Sequence, residues 1–183
     1  MINVDSVRPL TPLERSDVGI EVRRAGLQDA RIVTDLGRAL ERHEAAAPTF
    51  WMHELGDFGE TLGQPGNAAW LAFEGGQVLG FIALEPGEAC ECALLRDTGT
   101  VNISGAFTVE AMRGKGVAAS LLDHALAWAR SQGYERCAVD FESMNTLAAR
   151  FWVRWFEPVS YSLVRSIDKR TPVDPPLWQS NLR

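Results

Sequence analysis

The chain is poor in the residues that carry metal, redox and membrane chemistry. Its 183 residues include three cysteines, three histidines and two tyrosines. Three thiols cannot all pair within one chain, and Cys90-x-Cys92 lacks a second ligand pair at zinc-finger spacing, so reduced thiols and no metal are expected. No apolar run approaches the ~20 residues of a membrane span. The segment Met1-Ile2-Asn3-Val4-Asp5 carries neither the basic stretch nor the apolar core of a signal peptide, so a cytoplasmic chain without a membrane partner is expected. Basic residues are outnumbered by acidic ones, 18 to 24, and the net charge of −6 argues against a nucleic-acid partner, whose affinity would come from neutralised phosphates. Internal repeats and low-complexity segments are missing as well. What remains, 46% hydrophobic and 23% charged, is the ordinary composition of one soluble globular domain.

The most informative residues are Arg113-Gly114-Lys115-Gly116-Val117-Ala118. A strand-like run, Ile103-Ser104-Gly105-Ala106-Phe107-Thr108-Val109, precedes them and a helical pattern follows. Two glycines let backbone approach a ligand closely, and a helix opening near Val117 aims unpaired N–H groups and its positive dipole end at the loop. Such a loop accepts a phosphate. A Walker loop needs Gly-Lys-Ser/Thr after four spacers, and a dinucleotide fingerprint needs G-x-G-x-x-G; neither is present.

Around this loop the pattern is that of a mixed α/β domain. Residues 1–19, with Pro9 and Pro12 and no clear periodicity, read as an extended arm. Residues 20–24 read as a short strand, after which Asp29 can cap a helix with apolar positions Ile32, Val33, Leu36 and Leu40. Phe50, Trp51, Met52 and Phe58 suggest a second, shorter helix. Glu74-Gly75-Gly76 between two apolar runs is a hairpin signature. Residues 86–98 read as an excursion or short edge strand. The helix after the loop carries Leu121, Leu122, Ala125, Trp128 and Ala129 and ends at Gly133, with His124 on its surface or in packing. Residues 136–141 form a strand reached by a βαβ crossover, so it runs parallel to the strand before the loop. Asn145 caps a last helix that Pro158 stops, a final strand spans 159–167, and 169–183 is a proline-interrupted tail. Trp178 in that tail can dock on the body or on a second subunit, which leaves a homodimer open.

Arg113, Gly116 and Ala118, read as Arg-x-x-Gly-x-Ala, together with Leu121-Leu122, Gly133-Tyr134, Val139, Phe141, Asn145 and Phe151-Trp152, resemble the GNAT superfamily of acyl-CoA-dependent N-acyltransferases. The resemblance covers residues 20–168. It implies a mixed, mostly antiparallel sheet in which two parallel strands splay apart, with helices on both faces. It implies acetyl-CoA as donor and an amine as acceptor. By the same resemblance, Arg113, Gly114, Lys115, Gly116, Val117 and Ala118 hold the pyrophosphate, backbone groups of Phe107, Thr108 and Val109 pair with the pantetheine arm and supply an oxyanion donor, and Asn145 and Phe151 lie beside that arm.

Two positions depart from the family. Many members place a tyrosine at position 151 as the acid that protonates the leaving thiolate, and this chain has Phe151, which donates no proton. Trp155 stands where a glycine usually precedes Phe156. With two tyrosines in the chain, Tyr161 is the substitute acid and Tyr134 reads as packing. A thiol pKa near ~8.5 also makes unassisted departure tolerable. For the base, Glu142 stands at the end of one splayed strand and Glu110 follows the other, either acting directly or through water. Asp140 alternates onto the same strand face as Glu142. The stretch from His43 to Glu110 holds ten acids and one base. In the family it forms much of the acceptor side, and two readings stand: an acceptor site for a cationic small molecule or a protein amine, or a solvated acidic face. A non-catalytic acyl-CoA-binding or regulatory module is the alternative function, with the missing tyrosine in its favour.

Overall fold

The computed structural model describes residues 2–13, 19–46, 56–90 and 92–163. In chain order its elements are β1 (Ile2–Pro9), β2 (Glu21–Arg24), α1 (Ala30–Ala45), α2 (Phe58–Thr61), β3 (Ala68–Glu74), β4 (Gln77–Pro86), β5 (Thr100–Thr108), α3 (Val117–Ser131), β6 (Arg136–Glu142), α4 (Thr146–Trp155) and β7 (Glu157–Leu163). Seven strands form one sheet in the order β2-β3-β4-β5-β6-β1-β7. Every neighbouring pair is antiparallel except β5 and β6, which the α3 crossover makes parallel.

Strand alternation sends successive side chains to opposite faces, and both faces are covered. Trp70, Ile82, Leu84, Val101, Ile103 and Val139 pack with Leu121, Leu122, Ala125 and Leu126 of α3. On the opposite face Leu71, Phe81 and Ala83 pack with Val33, Leu36 and Leu40 of α1 and Phe58 of α2. The β3–β4 hairpin turns through Gly75 and Gly76, at φ 56° and 81°, the positive angles that a two-residue hairpin turn demands.

Residues 2–9 correct the expectation of an arm. They form β1, which lies inside the sheet and pairs antiparallel with β6 on one side and β7 on the other. The strand was hidden because an interior position buries polar residues here: Asp5, Ser6 and Arg8 are 5%, 1% and 7% exposed, and they interrupt the alternation that apolar residues would show. Asp29 departs from its expected role too. It precedes α1 but its carboxylate does not cap that helix. It instead accepts both guanidinium N–H groups of Arg23 at 2.8 Å and the Gly26 N–H at 2.9 Å.

Asn145 does cap α4, accepting the Ala148 N–H at 3.2 Å. Pro158 falls in β7, which tolerates it as an edge strand. Residues 87–89 and 93–95 form short 3-10 turns in the excursion before β5. Phe50, Trp51 and Met52, residues 164–167 of the expected last strand, and the tail with Trp178 lie outside the described residues.

Candidate functional site

The site begins with a bulge. Ala83 pairs with Gly105 and Leu84 with Ile103, so Ser104 is an extra residue in β5 and bends it. Among the described residues, the β5–β6 ladder joins Thr100–Ile103 to Arg136–Val139 and stops where the bulge starts. Beyond it the strands part. A cleft of about 1070 Å³ opens there, lined from β5 by Ser104, Phe107 and Thr108 and from β6 by Asp140, Phe141 and Glu142.

One wall is the glycine loop. After a 3-10 turn at Glu110–Met112, Gly114 and Gly116 take φ of 75° and 86° and α3 starts at Val117. The first intrahelical bond runs from the Ser120 N–H to the Gly116 carbonyl at 2.9 Å, so the preceding helical N–H groups stand at the open end. Arg113 is half-buried; its Nε donates to the Thr108 carbonyl at 3.3 Å and its guanidinium carbon lies 5.8 Å from the Phe107 ring centroid. Arg113, Gly114 and Ala118 line the cleft, joined by Asn145, Ala148 and Phe151 of the α4 region. Lys115 is exposed and reaches back to the Met112 sulfur at 3.6 Å, and Val117 is buried in the core.

The facing wall is acidic. Glu142 is 9% exposed at the end of β6, and Asp5 of β1 is buried as well. Asp5 pairs directly with Asp140, and Asn3, opposite Glu142, donates to Asp140 at 3.3 Å. Asp140 is exposed, not buried with Glu142 as a paired carboxylate would need to be.

Among the cleft residues that the sequence does not single out are His43 and Glu44, at the end of α1. The His43 ring lies edge-on to Phe107 at 6.4 Å. Burial and the Arg113 charge lower its pKa, partly offset by Glu110 and the Asn145 side chain. Glu44 is half-buried, and burial, then the charges of Asp140, Glu142 and Glu41, push its carboxyl up to about 7. The signal was present. Val33, Leu36, Gly37 and Leu40 are the buried face of α1, and 43 and 44 continue that i, i+3, i+4 stripe with polar residues.

The remaining expected site residues fall elsewhere. Glu110 is exposed and does not line the cleft. Tyr161 is corrected as the acid: it is 63% exposed on the edge strand, pairs with Val4, and leaves the cleft lining to its neighbour Ser162, because alternation turns it to the other face. Tyr134 packs near Trp128 at 6.2 Å.

A seven-stranded mixed sheet that splays at its parallel pair, beside a glycine loop at a helix start, is the architecture of an acyltransferase. The chain belongs to the acetyltransferase (GNAT) family, whose model matches residues 36–156. Among solved structures, AAC(6')-Iy in complex with a bisubstrate analogue, CoA-S-monomethyl-acetylneamine, is 18% identical at a TM-score of 0.61, over 81% of this chain and 99% of that one. Ribosomal-protein-alanine N-acetyltransferase from Brucella melitensis biovar Abortus 2308 is 15% identical at 0.58, over 81% and 99%. A predicted acetyltransferase with acetyl-CoA from Clostridium acetobutylicum is 15% identical at 0.54, over 87% and 97%. No curated protein matches the chain. No helix among the described residues is long and apolar enough to cross a membrane.

Proposed function

We propose that the protein moves an acetyl group from acetyl-CoA to a primary amine by direct attack, through a tetrahedral intermediate and without a covalent enzyme adduct. The observation that carries this reading is the joining of an anion-binding loop and an acidic wall in one cleft, at the place where β5 and β6 part. The N–H groups opening α3, with Arg113, Gly114, Lys115, Gly116, Val117 and Ala118, hold the pyrophosphate. The pantetheine arm enters the gap past Asn145 and Phe151, whose ring contributes contact and no proton. Backbone groups of Phe107, Thr108 and Val109 supply its hydrogen bonds, and an N–H of this stretch other than that of Val109, which donates to the Leu79 carbonyl at 2.9 Å, serves as the oxyanion donor, an interaction of about 3 kcal/mol in comparable sites.

The acceptor amine enters from the acidic wall, where its charge is attracted, and a carboxylate there removes its proton before attack. Glu142 is the strand-end member of that wall. The protein acts in the cytoplasm, on a cationic small molecule or a protein amine. The complex of AAC(6')-Iy with a bisubstrate analogue, CoA-S-monomethyl-acetylneamine, in a neighbour of the same fold supports the amine-acceptor reading.

A screen of amine pools for acetyl-CoA-dependent thiol release tests the proposal. Thiol release with at least one amine is expected. Tight acetyl-CoA binding with no turnover would instead select the non-catalytic acyl-CoA-binding reading, which Phe151 in the cleft lining favours.

A further inference from the structure

We infer that Glu44, at the C-terminal end of α1, is the group that takes the proton from the acceptor amine. The inference rests on the acetyltransferase reading and names the base within that same site. Its first support is position. The buried stripe of α1 packs on the sheet through Val33, Leu36 and Leu40, and one turn later the same face has passed the core and looks into the cleft. A helix that only needed to cover the sheet would end its stripe in solvent. Here it ends in His43 and Glu44, both lining the space between the splayed strands.

The second support is that these adjacent residues serve opposite walls. His43 meets Phe107 and feels Arg113 and Glu110, on the loop side. Glu44 interacts with Asp140 and Glu142, on the β6 side. The end of α1 therefore bridges the gap in which a thioester held along β5 meets an amine drawn to β6. Glu44 and Glu142 both line the cleft, but Glu142 is 9% exposed whereas Glu44 is half-buried and so more accessible to an incoming amine.

The third support is charge. Among the described residues, the charged groups that raise the Glu44 carboxyl are Asp140 and Glu142 from β6 and Glu41 from its own helix, three carboxylates. Asp5 of β1 lines the same cleft, and adjacent His43 is biased toward its neutral form by burial and Arg113. With burial, this holds the Glu44 carboxyl to about 7, where a base both accepts and releases a proton readily near neutral pH.

The step balances. The Glu44 carboxylate accepts one proton from the ammonium, and the freed nitrogen lone pair forms the N–C bond while the carbonyl π pair moves to oxygen. Return of that pair breaks the C–S bond. The thiolate takes the second proton lost by nitrogen, and Glu44 returns its own to water.

The test measures kcat/KM against pH for the full chain and for Glu44→Gln, Glu44→Asp and Glu142→Gln, with an aminoglycoside, a linear diamine and free lysine as amine probes. Acetyl-CoA affinity by calorimetry and thermal melting accompany it. Glu44→Gln is expected to lower kcat/KM by about 100-fold and abolish the limb near neutral pH, with acetyl-CoA affinity within about twofold and an unchanged or higher Tm. Glu44→Asp keeps a reduced rate with the limb. Glu142→Gln moves the limb to lower pH without removing it, because it deletes a like charge beside Glu44. Parental activity and limb in Glu44→Gln, or a limb lost only in Glu142→Gln, would overturn the assignment while leaving the enzyme reading intact. A parent that binds acetyl-CoA but acetylates none of the probes overturns the enzyme reading, and the assignment falls with it.

Discussion

The two ends of α1 carry carboxylates in opposite states. Asp29, just before the first turn, is 4% exposed, receives a bidentate grip from Arg23 and the Gly26 N–H, and is held down at about 2. Glu44, fifteen residues on, sits among like charges and is pushed up to about 7. Burial opposes ionisation at both sites; what differs is the partner. Asp29 meets a cation and a backbone donor and fixes the chain where β2 passes into the helix. Glu44 meets carboxylates, an arrangement that lowers stability at neutral pH and suits a group that exchanges its proton. One end anchors the helix and the other presents it to the cleft.

The most damaging way to break this contrast is at the anchor. Asp29→Asn removes the charge-assisted pair and weakens the turn at Gly26, at a cost of about 2 kcal/mol or more; since Arg23 is 41% exposed, its stranded charge stays hydrated and adds little. For a domain of this size that lowers Tm by about 5 °C, read by thermal melting. The parent should also lose this contribution as pH falls. Asp29 has a folded pKa below its unfolded one, so its stabilisation is complete above about pH 4 and disappears on the way down to about 2. Asp29→Asn melts should lack that acid slope.

At the other end the sign reverses. The Glu44 carboxyl binds its proton more tightly in the folded state, so stability is highest below about pH 4.5 and is lost as pH rises toward 7. Glu44→Gln should therefore be more stable than the parent at pH 8, by on the order of 1–2 kcal/mol, and equal to it at pH 4. Equal melts at pH 8 would mean that this carboxylate is well solvated and no different from a surface glutamate.

Arg113→Ala sharpens the division between the two walls of the cleft. It should weaken acetyl-CoA binding about tenfold by calorimetry, through loss of a charge-assisted contact, and leave untouched the alkaline destabilisation that Glu44 causes. Glu44→Gln should do the reverse on both counts. A single variant that changed both readouts would show that the walls are not independent.

The loop wall was the legible one, because its signals are local. Gly114 and Gly116 announce positive φ, and a strand and helix on either side place them. The β3–β4 turn and the Asn145 cap were read by the same kind of short-range chemistry. The acidic wall depends on tertiary facts. β1 enters the sheet with Asp5, Ser6 and Arg8 buried, a pattern that imitates a polar arm. The bulge at Ser104, which parts the strands, has no composition of its own. Asp29 looked like a cap because caps are aspartates, while its true partner, Arg23, comes from a neighbouring strand. Tyr161 has the hydroxyl an acid needs, and only the register opposite Val4 turns it away from the cleft. In the sequence Glu44 is one of the ten acids from His43 to Glu110, and only the α1 stripe, continued one turn past Leu40, distinguishes it.

The smallest expected effect concerns what the acidic wall does before any proton moves. Several carboxylates lining a cleft attract a cationic amine and raise its encounter rate, so kcat/KM for such an acceptor should fall as salt rises from low to physiological strength. The fall should be a few-fold only, since a Debye length of about 8 Å screens the exposed members, Asp140 foremost. Glu142 and Asp5, at 9% and 5% exposure, are screened less and retain part of the field. The same field opposes deprotonation of the amine it captures, which is why capture and proton removal need separate groups: a rim that attracts, and a half-buried base whose own charge has been suppressed. Steady-state rates at increasing salt, with a charged and an uncharged acceptor compared, decide the matter. A salt-independent kcat/KM, or a preference for the uncharged acceptor, would reduce the acidic wall to a solvated surface and leave Glu44 without a reason to be where it is.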